Sequence, residues 1–178
     1  MNGSNIFLLA ETIKLQMERI KVLFVCLGNI CRSPLAEAVF NHKVKGKKME
    51  LLVEADSCGT ANYHVGDPPD HRTIANARKN GVSIRHTGRQ LAEDDLEYFD
   101  FILAMDSSNQ QNILRLSNAG NHRHKISLMR EFDPAGKGMD VPDPYYGSER
   151  DFQEVFDILD RTMDSFIANL EDILNAKA

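Results

Sequence analysis

The segment Lys21 to Cys26 (KVLFVC) is an apolar run, unbroken after its first residue. It is too short for a helix or a membrane span, and rich in branched side chains. Such a run suits a strand buried on both faces, and strands of that kind belong to parallel sheets covered by helices on either side. The rest of the chain repeats the theme. Ser33, Pro34 and Leu35 to Val44 read as a helix, with Ser33 as N-cap and Pro34 at the first helical position. Leu51 to Ser57 is a second strand, closed by Gly59. Asp70 to Asn80 is a helix ending at Gly81. Phe99 to Met105 is a third strand, and Asp106 or Ser107 caps a helix running to about Leu116. Lys125 to Met129 is a fourth strand. The segment from Arg130 to Gly147, broken by prolines and glycines, reads as a long loop. Ser148 with Asp151 three residues on opens a last helix. Its apolar positions, from Phe152 through Val155, Phe156, Leu159, Met163, Phe166, Ile167 and Leu170 to Ile173 and Leu174, step by threes and fours. The expected fold is α/β, a four-stranded parallel sheet flanked by helices on both faces, in one domain over 21–178. Residues 1–20 read as an extension of unassigned role, with Ile6, Leu9, Ile13 and Met17 at helical spacing.

Composition narrows the function classes. The net charge of −5 argues against general nucleic-acid binding, which needs a basic face, but leaves room for one cationic pocket. The three cysteines, Cys26, Cys31 and Cys58, are an odd number at irregular spacing. They fit neither a disulfide framework nor a paired Cys-x2-Cys zinc site. Reduced thiols, no membrane span and no secretory leader give the expectation of a cytoplasmic protein, with a monomer as the simplest state.

In open α/β sheets, ligands bind beyond the carboxyl ends of the strands. The loop after the first strand is Cys26-Leu27-Gly28-Asn29-Ile30-Cys31-Arg32-Ser33. A bare Cys-x5-Arg is weak evidence, but here the cysteine ends a buried strand and the arginine precedes a helix. Gly28 and Asn29 tolerate unusual backbone angles. Curled into a cup, the loop turns its N–H groups onto an anion, and the helix end adds positive potential. Arg32 supplies a planar fork for two phosphate oxygens. The same field favours a thiolate at Cys26, and Ser33 can donate to the sulfur. A thiolate at the bottom of a phosphate cradle is placed to attack phosphorus. No Lys-Ser or Lys-Thr follows the glycine, so this is not a nucleotide-binding loop. Cys31 is either a packing residue or a redox partner of Cys26, and Cys58 reads as core.

Expelling a poor leaving group needs an acid. Asp143, in Asp143-Pro144-Tyr145-Tyr146-Gly147, is the candidate, although by residue type alone this segment reads first as a rigid surface turn.

The stretch VLFVCLGNICRSPLAEAVF resembles the signature of the low-molecular-weight protein tyrosine phosphatases, and DPYYG resembles their acid loop. DSCGT (56–60), GDPPDHR (66–72), RHTGRQL (85–91) and FDFILAMDSSN (99–109) resemble family segments in the same order. The resemblance runs from about Lys21 into the last helix. It implies that Cys26 is the nucleophile, Arg32 the phosphate clamp and Asp143 the acid, then the base. It also implies that Asn29 is held in a left-handed conformation by Ser33, Ser57 and His86, and that Asp106 lies beneath the phosphate loop. Tyr63, Tyr145 and Tyr146 become walls of a slot deep enough for phosphotyrosine in a protein substrate. No metal or organic cofactor is implied. Two relatives fit less well. Arsenate reductases of this fold use further cysteines downstream, and 85–100 contains none. Protein arginine phosphatases tend to carry Thr where Ile30 stands and Phe-Gly after the Asp-Pro. A catalytically idle phosphotyrosine-binding module would not need Cys26, Arg32 and Asp143 all intact.

Overall fold

In the computed structural model, which describes residues 19–116 and 119–177, β1 (Ile20–Cys26) lies at the centre of the sheet. It pairs in parallel with β2 (Val53–Gly59) on one edge, from Ile20 opposite Val53 to Cys26 opposite Gly59. On its other edge it pairs with β3 (Phe101–Ala104), which in turn pairs with β4 (Ile126–Leu128). All pairs are parallel, and the strand order is β2-β1-β3-β4. The chain therefore leaves β1 toward one edge and returns past it to the other. The carboxyl end of β1 sits at this reversal, where open α/β sheets form their ligand crevice.

The unbroken apolar run of β1 is explained by burial on both faces. Val22, Phe24 and Cys26 join one core cluster, and Leu23 and Val25 join the other. The first cluster is covered by α1 (Arg32–Gly46), α2 (His71–Lys79) and the last helix, α6 (Glu149–Lys177). The second is covered by α3 (Glu93–Tyr98), α4 (Ser107–Leu114) and α5 (Ala119–His122).

The periodic face of α6 packs as its spacing predicts, and Ile158 joins it in the core. Phe166 anchors that helix: its ring lies 6.0 Å from Phe40, 5.6 Å from Phe101 and 4.8 Å from Phe132. Asp70 caps α2 through the Arg72 amide, and Gly81 follows that helix with φ +78°. None of the described helices is long and apolar enough to cross a membrane.

Four expectations shift. Ser33 does not cap α1. The helix begins at Arg32 with Cys31 at the N-cap position, so Ser33 lies inside the first turn and Pro34 in the third helical position. Its hydroxyl is thereby released for the loop. β2 and β3 are displaced or shortened relative to their apolar runs, because Leu51 and Phe99 lie outside the ladder. Helix α3 is a single acidic turn with no apolar period to betray it. The first strand begins one residue earlier than its apolar run: Ile20 is in β1, and Arg19 donates to the Val53 carbonyl at 2.7 Å. The helical spacing between Ile6 and Met17 lies outside the described residues.

Candidate active site

The loop from Leu27 to Cys31 is pinned from outside by its carbonyls. Thr60 N–H donates to the Cys26 carbonyl and Ala61 N–H to that of Leu27, each at 2.9 Å. Asp70 N–H donates to the Ile30 carbonyl at 2.8 Å. Carbonyls tied outward leave amides facing the cup, the polarity an anion site needs. Gly59 permits this approach, since a Cβ there would stand 2.8 Å from the Leu27 carbonyl oxygen.

Asn29 sets the curvature. It has φ +57° and is buried. Its Nδ2 donates to Ser33 Oγ at 2.9 Å and to Ser57 Oγ at 3.0 Å. Its Oδ1 accepts from Arg89 N–H at 2.9 Å and faces His86 Nε2 at 2.7 Å. Oδ1 can only accept, so His86 Nε2 carries the donated proton. Ser57, His86 and Ser33 thus converge on Asn29 as the resemblance implies. Glu37, on the second turn of α1, completes the bracket. Its carboxylate accepts from Ser57 Oγ at 2.8 Å and lies 3.1 Å from His86 Nδ1. Nothing in the sequence singled out Glu37, because one glutamate on an amphipathic helix is ordinary. Its spacing of four from Ser33 was the available signal.

At the floor of the cup, Cys26 is 3% exposed. Asn29 N–H donates to its Sγ at 3.2 Å, and Ser33 Oγ lies 3.0 Å away. Because Asn29 donates into the Ser33 oxygen, the serine proton is free for the sulfur or for the Cys58 carbonyl at 3.3 Å. Cys26, Cys31 and Cys58 are all free thiols. Cys31 packs with Ile30 and Phe152, and burial pushes its thiol up to about 12. Burial raises Cys58 as well.

Arg32 is buried and points both nitrogens of its fork at carboxylates. Nη1 meets Asp106 at 2.6 Å and the Val141 carbonyl at 3.2 Å, and Nη2 meets Asp143 at 2.6 Å. Burial pulls the guanidinium down, but the charges of Cys26, Asp143 and Asp106 outweigh it and its pKa is raised. Asp106 also caps α4 by accepting from Asn109 N–H at 2.6 Å, so one carboxylate fixes a helix end and the Arg32 fork. The other oxygen of Asp143 accepts from Tyr145 N–H at 3.1 Å.

At the sulfur opens a cleft of about 310 Å³, lined by Cys26, Leu27, Arg32, Tyr63, His64, Asp143, Tyr145 and Tyr146 among others, with Arg32 buried and the Asp143 side chain half-exposed. Tyr63 is 73% and Tyr146 97% exposed, so apolar wall stands in water. Tyr145 and Tyr146 meet edge to face at 5.0 Å, and the Arg72 guanidinium lies 5.6 Å from the Tyr145 ring. His64, held to Asp67 at 3.0 Å, was not anticipated as a wall residue.

Comparison with known proteins bears on this arrangement. The family model described as low molecular weight phosphotyrosine protein phosphatase matches residues 21–175. The chain is 44% identical over 147 residues to the low molecular weight phosphotyrosine protein phosphatase of Gallus gallus, covering 82% of this chain and 92% of that protein. Among solved structures, a protein tyrosine phosphatase from Entamoeba histolytica superposes with TM-score 0.82 at 38% identity, over 86% of this chain and 97% of that one. A structure described as YwlE arginine phosphatase superposes with TM-score 0.77 at 26% identity, over 85% and 96% of the two chains. With sequence and fold agreeing over nearly the whole described body, the chain belongs to the low molecular weight phosphotyrosine protein phosphatase family.

Proposed function

We propose that this protein hydrolyses phosphotyrosine in protein substrates through a cysteinyl-phosphate, with Cys26 as nucleophile, Arg32 as clamp and Asp143 as proton carrier. The observation that carries the assignment of roles is the convergence of the Cys26 sulfur, the Arg32 fork and the Asp143 carboxyl in one aromatic-walled cleft.

The steps follow from that placement. An entering phosphate takes over the Arg32 nitrogen that Asp143 occupies, and its remaining oxygens meet the amides of Leu27 to Ser33. The Cys26 thiolate attacks phosphorus on the side away from the phenolic oxygen. The S–P bond forms, the P–O bond breaks, and Asp143 gives its proton to the departing tyrosine. Asp143, now a carboxylate, takes a proton from water as that water attacks phosphorus. The S–P bond breaks, phosphate leaves and the thiolate returns. Ser33 and Asn29 N–H stabilise the sulfur as a leaving group in this second step. The aromatic lining of the cleft supports phosphotyrosine, because Tyr63, Tyr145 and Tyr146 offer faces to a flat ring that a phosphoserine lacks.

Two variants test the roles. Cys26→Ser is expected to lose turnover while retaining binding of a phosphate analogue such as tungstate. Turnover above a mock preparation would contradict the nucleophile. Asp143→Asn is expected to lower kcat/KM about 100-fold or more for aryl phosphates with poor leaving groups, and far less for those with good ones. Equal losses on both would remove Asp143 from the acid role.

The likeness to an arginine phosphatase gives phosphoarginine as a second reading. The paired tyrosines and Ile30 favour phosphotyrosine, since a flat ring gains from aromatic walls. Residues 1–18 are assigned no part in the chemistry, and the body is proposed to act as one domain in the cytoplasm.

A further inference from the structure

We infer that Arg130, a buried arginine remote from the cleft, is a positioning residue for the acid loop, holding Arg32 and Asp143 in register through the segment 133–143. The inference rests on the reading of Asp143 as the general acid.

Long loops between a strand and a helix are normally mobile and wet. The segment after β4 is long, yet its stem is built around one buried cation. Arg130 is 6% exposed. Its Nε donates to Asp133 Oδ2 at 2.8 Å, and its Nη1 donates to the backbone carbonyl of Asp140 at 2.9 Å. Its own carbonyl accepts from Gly138 N–H at 3.0 Å. The loop therefore closes on Arg130 from both sides. Gly136 lies so close against the guanidinium that a Cβ there would overlap Nη2. Asp133 is held from behind by α6: Arg161 Nε and Nη2 donate to its two oxygens at 2.8 and 3.0 Å.

The grip is transmitted to the chemistry within three residues. Asp140, whose carbonyl Arg130 holds, also receives the Ser107 amide on its side chain at 2.8 Å, one residue past Asp106. The next residue, Val141, donates its N–H to the Met105 carbonyl at 2.7 Å and offers its own carbonyl to Arg32 Nη1 at 3.2 Å. Pro142 and Pro144 then stiffen the short run that carries Asp143. Releasing the Asp140 carbonyl leaves that peptide held from one side only, by the Val141 N–H on Met105, and so loosens one acceptor of the clamp and the origin of the acid. Removing a buried guanidinium leaves its carboxylate partner Asp133 without one of its donors, which makes the stem sensitive to this one side chain.

The test uses the full chain and two variants that perturb Arg130 differently. Arg130→Met removes the fork. Gly136→Ala keeps the charge but pushes the guanidinium off the Asp140 carbonyl. Asp143→Asn is measured beside them. For each folded variant, kcat/KM is taken for a series of aryl phosphates from good to poor leaving groups, together with inhibition by vanadate and the urea midpoint. The positioning role predicts a loss of about 10- to 100-fold on poor leaving groups and little on good ones, a weaker copy of Asp143→Asn. It also predicts weaker vanadate inhibition, because Arg32 loses the Val141 carbonyl. If Asp143→Asn shows the leaving-group effect and both other variants lower only the urea midpoint, Arg130 is structural and the inference fails. If Asp143→Asn shows no leaving-group effect, the acid assignment fails instead. Should Arg130→Met not fold, Gly136→Ala decides alone, and a flat leaving-group profile in it overturns the proposal.

Discussion

Asn29 illustrates how one side chain can fix a catalytic loop. Its left-handed backbone is tolerable for asparagine but costs most residues about 1 kcal/mol or more. Its amide serves four partners that are themselves buried or half-buried. Asn29→Ala combines the backbone cost with stranded donors on Arg89 and His86. It is expected to destabilise the fold by about 2–4 kcal/mol and to slow turnover at least 10-fold. Asn29→Gly relieves the backbone alone, so urea titration places it between wild type and alanine. The thiols differ as sharply as their surroundings. Cys31, pushed up to about 12 by burial, and the raised Cys58 remain protonated at neutral pH. Iodoacetate at pH 6–7 is therefore expected to modify Cys26 first, as read by peptide mass. Bound phosphate is expected to protect it.

Among the elements, the loop stem and α6 meet at Asp133. Its bonds to Arg161, then Ala135 N–H and Arg130, hold its carboxyl down from 3.8 to about 2. A carboxyl depressed on folding contributes stability that is fully present above its unfolded pKa. That stability is lost as pH falls from about 4 toward 2. The shift corresponds to about 2 kcal/mol. Asp133→Asn is expected to lower the unfolding free energy by about that much or more at pH 7. The gap from wild type should narrow as pH falls below 4 and close only at about pH 2 and below. A gap that does not change with pH would contradict it. Phe166, with three aromatic neighbours, is expected to cost about 3–5 kcal/mol on truncation to alanine.

These elements also show what a sequence displays and what it conceals. β1 and α6 were legible because burial imposes a pattern, continuous in one and periodic in the other. The single turn of α3 was not, since six residues without an apolar stripe carry no period. In the site, Cys26 to Arg32 announced itself through local spacing, whereas Glu37 and Arg130 act across the fold. Their partners, at Ser57 and His86 or at Asp133 and Asp140, stand at separations that no local pattern encodes. Ser33 was recognised as a functional residue but placed one step outside its helix. Its hydroxyl is drawn to the sulfur and away from a helix cap.

For the whole molecule, a net charge of −5 coexists with a site centred on one buried arginine and the Asn29 amide. The acidic exterior does not recruit phosphate. Under the proposed function, recognition rests on the cleft and its exposed aromatic rim. The most direct measurement is phosphate release from three peptides matched in sequence and bearing phosphotyrosine, phosphoserine or phosphoarginine, with Cys26→Ser as the blank. The account predicts rapid release from the phosphotyrosine peptide, little from phosphoserine and none in the blank. Preference for phosphoarginine, or release from phosphoserine at a similar rate, would contradict the reading of the cleft as a phosphotyrosine slot.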